Sequence, residues 1–214
     1  MNKIKHIIWD WNGTLLNDAW VFIGVMNSLL KSRNLSQINL SDYRKHFGFP
    51  VIEYYKYLGF DFTKESFKDY GKDFIKMYRK HQFDAKLHDD SIGVLKFFCN
   101  KNIQNHILSA SHIQLLNDSI EHYNIKKYFS QISGLDNHQA DGKIDIATEL
   151  FSLINCKQDE VLLIGDTIHD NEVANCLNIK SFLVTNGHQN EQRLAKTDST
   201  IISCLTDIVV KYEN

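Results

Sequence analysis

Short, uninterrupted apolar runs recur along the chain, each ending on a polar or glycine-bearing turn. Residues 4–9 end at Asp10, 104–108 at Ser109, 128–132 at Ser133-Gly134, 161–164 at Gly165-Asp166, and 180–184 at Thr185-Asn186-Gly187. Runs of this length closed by turn residues predict strands buried on both faces. Between them the apolar positions shift to helical spacing. Ile92, Leu95, Phe98 and Cys99 mark a helix over 91–100, Leu115, Leu116, Ile120 and Tyr123 one over 113–123, and Ile146, Leu150, Phe151 and Ile154 one over 144–154. Strand–helix alternation predicts an α/β fold of three layers, α/β/α, with a parallel sheet and right-handed crossovers. In such sheets ligands bind beyond the carboxyl ends of the strands, where Asp10, Ser109 and Asp166 fall.

The alternation breaks between residues 17 and 86. No strand is expected there; the stretch reads as several helices, including 19–32 and 64–81, rich in Phe and Tyr. The single proline, Pro50, predicts a break between two of them. The expected organisation is therefore a core domain of residues 1–16 and 87–214, with 17–86 as an inserted helical domain over the strand ends.

Composition narrows the class. A formal net charge of −2 over 214 residues gives no electrostatic footprint for nucleic acid or an anionic membrane. The four cysteines form no Cys-x-x-Cys pair and three fall in apolar helical stretches, which predicts small buried hydrophobes in a reducing compartment. No apolar run nears the roughly 20 residues that span a bilayer, and no signal peptide is evident, so a cytoplasmic enzyme is expected. Ten histidines include no His-x-His or His-Glu-x-x-His spacing, which argues against zinc.

Four segments carry candidate chemistry. Asp10 leaves a buried strand in Asp10-Trp11-Asn12-Gly13-Thr14; Asn12-Gly13 between apolar residues also fits a tight β-hairpin. In Gly165-Asp166-Thr167-Ile168-His169-Asp170, two carboxylates four residues apart suit a hard cation such as Mg²⁺. Thr167-x-x-Asp170 equally fits a helix-capping box, which leaves Asp166 unexplained. The Ser109 hydroxyl and the Ala110 amide suit a phosphate oxygen, although serine before a helix is a common cap. Lys143, after Gly142, either neutralises phosphate or is surface.

Taken in order, Asp-x-Asn-Gly-Thr-Leu, hydrophobic-Ser, Gly-Lys and Gly-Asp-x-x-x-Asp resemble the four motifs of the haloacid dehalogenase-like superfamily over residues 4–185. The insertion after the first motif resembles that family's helical C1 cap, and the nearest branch is that of phosphoglycolate phosphatase and β-phosphoglucomutase. The resemblance implies a Rossmann-like core and a Mg²⁺-dependent phosphatase of a small phosphorylated metabolite. It implies that Asp10 forms an aspartyl-phosphate and that Asp10, the Asn12 carbonyl and Asp166 hold Mg²⁺, with Asp170 in support. Ser109 and Lys143 would hold phosphate oxygens, and Gly13 and Thr14 would shape a cradle of backbone amides. Arg44 or Lys45, in the segment 43–50, would read a second anionic group on the substrate; alternatively, Tyr43, Phe47 and Phe49 are packing and the basic residues are solvated.

One departure matters. The family's usual second aspartate, which protonates the leaving group, is Asn12 here, and an amide shuttles no proton. General acid–base help is worth ~10²–10⁴ in rate. His169, His112 and Glu53 are the stand-ins considered. The alternatives are another reaction of the superfamily, such as phosphonate cleavage or phosphoryl transfer, or a weakened enzyme that survives as a phosphate-binding regulator.

Overall fold

The computed structural model describes residues 3–136 and 142–213. In chain order its elements are β1 (His6–Trp9), β2 (Leu16–Asn17), α1 (Ala19–Ser32), α2 (Leu40–His46), α3 (Val51–Tyr57), α4 (Phe67–His81), β3 (Lys86–Leu87), α5 (Ser91–Asn100), β4 (Gln104–His112) and α6 (Ile113–His122). There follow β5 (Phe129–Leu135), α7 (Lys143–Ile154), β6 (Val161–Gly165), α8 (Ile168–Leu177), β7 (Lys180–Val184), α9 (Glu191–Leu194), β8 (Thr200–Ile202) and α10 (Thr206–Glu213).

Six of these strands form one sheet in the order β5-β4-β1-β6-β7-β8, every neighbouring pair parallel. Successive side chains of a strand point to opposite faces, and β1 shows why its run is apolar throughout. Ile7 and Trp9 enter one cluster with Leu95 and Phe98 of α5 and Ile208 of α10. Ile8 enters another with Ala147 and Leu150 of α7 and Val173 and Ala174 of α8. The buried Trp9 indole donates to Asn105 Oδ1 at 2.8 Å, so even its polar edge is satisfied. The result is a three-layer α/β/α, Rossmann-like fold. From β1 the chain proceeds to β4 and β5 on one side, then to β6, β7 and β8 on the other. That reversal opens a crevice at the carboxyl end of β1.

Three short strands escaped the sequence pattern. β8 is three residues in a Ser/Thr/Asp-rich stretch, and it extends the sheet beyond β7. β2 and β3 pair antiparallel, Leu16 opposite Leu87 and Asn17 opposite Lys86, where no strand was expected. This ribbon brings together the two ends of the segment carrying α1 to α4. Within that segment α1 has the expected bounds. The next expected helix, 64–81, begins at Phe67 instead because Ser66 accepts the Asp69 N–H and caps it. Pro50 does mark a break, standing at the N-cap of α3. The aromatic residues pack edge to face, as in Phe60 against Tyr70 and Phe22 against Tyr78. They share one continuous hydrophobic cluster with the sheet's Trp9 face. The cysteines differ from expectation: Cys176 is exposed, the other three are half-buried, and only Cys99 and Cys176 lie in helices. No described helix is long and apolar enough to cross a membrane.

Candidate active site

Three strand ends and two helix starts converge at the crevice. Asp10 follows β1, its N–H held by the Ile164 carbonyl of β6 at 2.8 Å. Asp166 follows β6, Asp170 stands in the first turn of α8, and Lys143 opens α7. Asp10, Asp166 and Asp170 are all buried, and each presents a carboxylate oxygen within 4.8 Å of the others. Lys143 Nζ donates to Asp10 Oδ1 at 2.5 Å and to Asp170 Oδ1 at 2.7 Å. Thr14 Oγ1 lies 3.0 Å from Asp166 Oδ1 and 3.3 Å from Asp10 Oδ2. The backbone is drawn tightly around these groups. Gly13 has φ +80°, and a Cβ there would sit 2.3 Å from Asp166 Oδ2; one on Gly187 would sit 2.2 Å from the same atom. Neither position tolerates a side chain while Asp166 stays in place.

Charge is the other constraint. Burial pushes the Asp10 carboxyl up to about 6; Asp170 adds to the shift and Lys143 opposes it. Burial, with Asp10 and Asp170 alongside, pushes Asp166 up to about 8 against the pull of His188. Burial also opposes the ammonium of Lys143, yet the Asp10 and Asp170 carboxylates hold its pKa above the ordinary lysine value. The same ion pair outweighs burial at Asp170 and holds it below the usual carboxylate range. Three carboxyl groups around one ammonium make an all-oxygen donor set whose full ionisation is disfavoured without a further positive charge. A hard divalent cation fits such a set.

A haloacid dehalogenase-like hydrolase family model matches residues 7–184. The chain belongs to this family. No curated protein sequence matches it. Among solved structures, a predicted phosphatase from Clostridium acetobutylicum superposes with a TM-score of 0.80 at 21% identity, covering 98% of both chains. A haloacid dehalogenase-like family hydrolase from Streptococcus pneumoniae gives 0.76 at 18% identity over 99% of this chain and 100% of that one. A predicted phosphoglycolate phosphatase from Haemophilus somnus gives 0.80 at 18% identity over 99% of both. At these identities the likeness is one of fold.

Within this haloacid dehalogenase-like fold, the ambiguous residues find definite places. The Asn12-Gly13 turn is no hairpin of β1, because the residues after it pair with β3 instead. Gly13 N–H is engaged by Leu16 O at 2.8 Å and Asp18 Oδ1 at 3.0 Å, so it is not the cradle donor expected of it. Asp170 forms the expected helix cap and also an ion pair with Lys143. Its Oδ2 accepts the Thr167 N–H and hydroxyl at 3.0 and 2.7 Å, capping α8, while Oδ1 faces Lys143. Ser109 does not cap α6, a place taken by His112; its buried hydroxyl accepts the Ser111 N–H at 3.1 Å. Lys143 is buried rather than surface.

Asp10, Asn12, Ser109, Ala110, Lys143, Asp166 and Asp170 line a single cavity that runs up into the helical segment. Arg44 and Lys45 are not among its lining residues. Arg44 donates through Nε to Gly187 O at 2.8 Å and through Nη2 to Asn186 O at 2.5 Å, and Lys45 is exposed. Of the stand-in acids, Glu53 is exposed and paired with Lys56, and His169 pairs with Glu172 outside the cavity. Only His112 lines it, with its ring accepting the Gln114 N–H.

The sequence reading missed a buried network behind Asn12. Asn12 Nδ2 donates to Asp18 Oδ2 at 2.6 Å and to Tyr78 Oη at 3.2 Å, while Asn12 Oδ1 accepts from Ser111 Oγ at 2.6 Å. His188 places Nε2 3.2 Å from Asp18 Oδ1 and Nδ1 2.7 Å from Tyr43 Oη, and its N–H donates to Asp166 Oδ2 at 2.5 Å. Burial works against the imidazolium, but the bond to Asp18 and its charge raise the His188 pKa. A signal for His188 was present, since 185–187 ends a predicted strand by the same rule that singled out Asp10. Nothing local marks Asp18, whose partners are gathered only by folding.

Proposed function

We propose that this chain is a Mg²⁺-dependent phosphatase acting on a small phosphate monoester through an aspartyl-phosphate on Asp10. One observation carries the reading: three buried carboxylates within mutual reach at the sheet's carboxyl edge, with Lys143 bonded to two of them. Asp10, the Asn12 carbonyl and Asp166 would hold the ion, with Asp170 behind them. When bound, Mg²⁺ offsets the repulsion between an anionic carboxylate and an anionic phosphate.

Asp10 attacks phosphorus in line, and the leaving oxygen departs on the far side. Lys143 then shifts from carboxylate to phosphate oxygens, and the Ser109 hydroxyl supports their growing charge. Water hydrolyses the acyl-phosphate and restores Asp10. Asn12 gives no proton to the leaving group, because both of its amide hydrogens point to Asp18 and Tyr78. Esters of acidic alcohols and phenols, which leave as anions, are therefore the best substrates. Residues 17–86 serve as a cap that excludes water from this chemistry, on a core of 1–16 and 87–214. A cytoplasmic setting accompanies the reading.

The test is phosphate release from a panel of monoesters graded by leaving-group acidity, with Mg²⁺, with chelator, and with Asp10→Asn in parallel. Release that requires Mg²⁺, vanishes in the variant and rises steeply with leaving-group acidity is expected. Turnover that persists in chelator or in the variant would sink the assignment.

A further inference from the structure

The cap side of the cavity carries no charge. The lining residues contributed by α1 to α4 and their connecting loops, among them Phe22, Phe47, Phe49, Tyr54, Phe74 and Tyr78, are without exception aromatic, aliphatic or glycine among the described residues. Lys143, the one lysine or arginine in the lining among the described residues, already faces Asp10 and Asp170 and is assigned to phosphate. Arg44 is tied to the carbonyls of residues 186 and 187, and His188, which also lines the cavity, has its two ring nitrogens engaged by Asp18 and Tyr43, so among the described residues no lysine or arginine remains for a second anionic group. A carboxylate in this space would be buried without a partner, which is strongly unfavourable. The cavity measures about 140 Å³, and apolar cavities of about 150 Å³ accept a benzene-sized ring.

One polar atom of a lining residue stands apart. Tyr54 is 3% exposed, and its hydroxyl is buried without a hydrogen-bond partner. Buried hydroxyls are ordinarily satisfied, and an orphan one is unfavourable until something meets it. Burial also raises its pKa, so it remains a phenol able to donate.

We propose that the cavity selects a phosphate monoester with an aromatic body and no second anionic group, and that Tyr54 Oη reads one hydrogen-bonding substituent on that ring. This deepens the phosphatase reading and rests on it for the placement of the phosphate. It departs from phosphoglycolate-like substrates, whose carboxylate meets no lysine or arginine on the cap side among the described residues. The leaving-group preference imposed by Asn12 points the same way, since a phenolic oxygen departs without a proton.

Binding of inert phosphonates tests the inference apart from turnover. Isothermal titration in Mg²⁺ would compare benzylphosphonate with phosphonoacetate and with 4-hydroxybenzylphosphonate, on the parent and on Tyr54→Phe. Benzylphosphonate is expected to bind at least tenfold more tightly than phosphonoacetate. The hydroxyl on the benzyl ring is expected to improve affinity in the parent and to confer no gain in Tyr54→Phe, whose melting temperature should not fall. Equal or reversed preference between the benzyl and carboxylate compounds, or no benzylphosphonate binding at all, would overturn the aromatic assignment. A hydroxyl gain that survives Tyr54→Phe would overturn the role of Tyr54. Tight aryl phosphonate binding without release of phosphate from any ester would retire the phosphatase and leave the pocket standing.

Discussion

At the scale of single residues, Asp10 and Asn12 divide the chemistry between them. Asp10 is buried with its pKa raised to about 6, so its charge is tolerated rather than needed by the fold. Asp10→Asn should lower turnover by at least ~10²-fold while leaving the melting temperature unchanged or slightly higher, which parallel kinetics and calorimetry would read. Asn12 is different, because its amide donates to the Asp18 carboxylate at 2.6 Å. Asn12→Asp replaces that donor with a second carboxylate, and two carboxylates so close cannot both ionise. The variant should gain an acid within reach of the site and an altered pH–rate profile. It should also lose roughly 1–3 kcal/mol of stability near neutral pH, for want of a paired donor, and recover much of it near pH 4–5 as the pair takes up a proton. A pH–rate profile identical to the parent's would mean that another group already supplies the proton.

Among the secondary-structure elements, what the sequence revealed depended on length and on locality. β1, β6 and β7 were legible because a central parallel strand needs every residue apolar, so their ends, and with them Asp10 and Asp166, were legible too. β2, β3 and β8 hold two or three residues each and carry no periodicity of their own; they exist because partner strands pull them into register. Arg44 illustrates a second kind of miss. Its charge in an aromatic loop suggested a reader of anions, whereas its two carbonyl partners make it a latch between α2 and the loop after β7. Gln189 and Arg193 add two further bonds across the same seam, both to Phe47 O. Arg44→Ala should therefore raise KM several-fold for every ester tested, while the ratio of kcat/KM between carboxylate-bearing and neutral substrates stays within about twofold. A selective collapse of the carboxylate-bearing substrate would restore Arg44 as a specificity residue.

For the whole molecule, the buried carboxyl groups couple stability to protons and, in the proposed reading, to metal. The ordinary value for an aspartate is 3.8, and folding raises Asp10 to about 6 and Asp166 to about 8. A carboxyl with a raised folded pKa binds its proton more tightly in the folded state. Its contribution is fully present below the unfolded value and disappears as pH climbs through the folded one. In chelator, the melting temperature should fall steadily from about pH 5 to about pH 8. The proposed Mg²⁺ would bind the deprotonated oxygens, so its affinity should rise over the same interval and oppose the fall. At a hundredfold excess over Kd the ion contributes about 2.7 kcal/mol, which for a chain of this length is a rise of roughly 5–10 °C. Scanning calorimetry across that pH range, with and without Mg²⁺, should give two curves that diverge as pH increases. Asp166→Asn removes the carboxyl with the larger of these two shifts together with a proposed metal ligand, so in that variant the two curves should nearly coincide and slope less. Parallel curves in the parent would show that Mg²⁺ does not bind through these carboxylates, and the proposed metal centre would have to be abandoned.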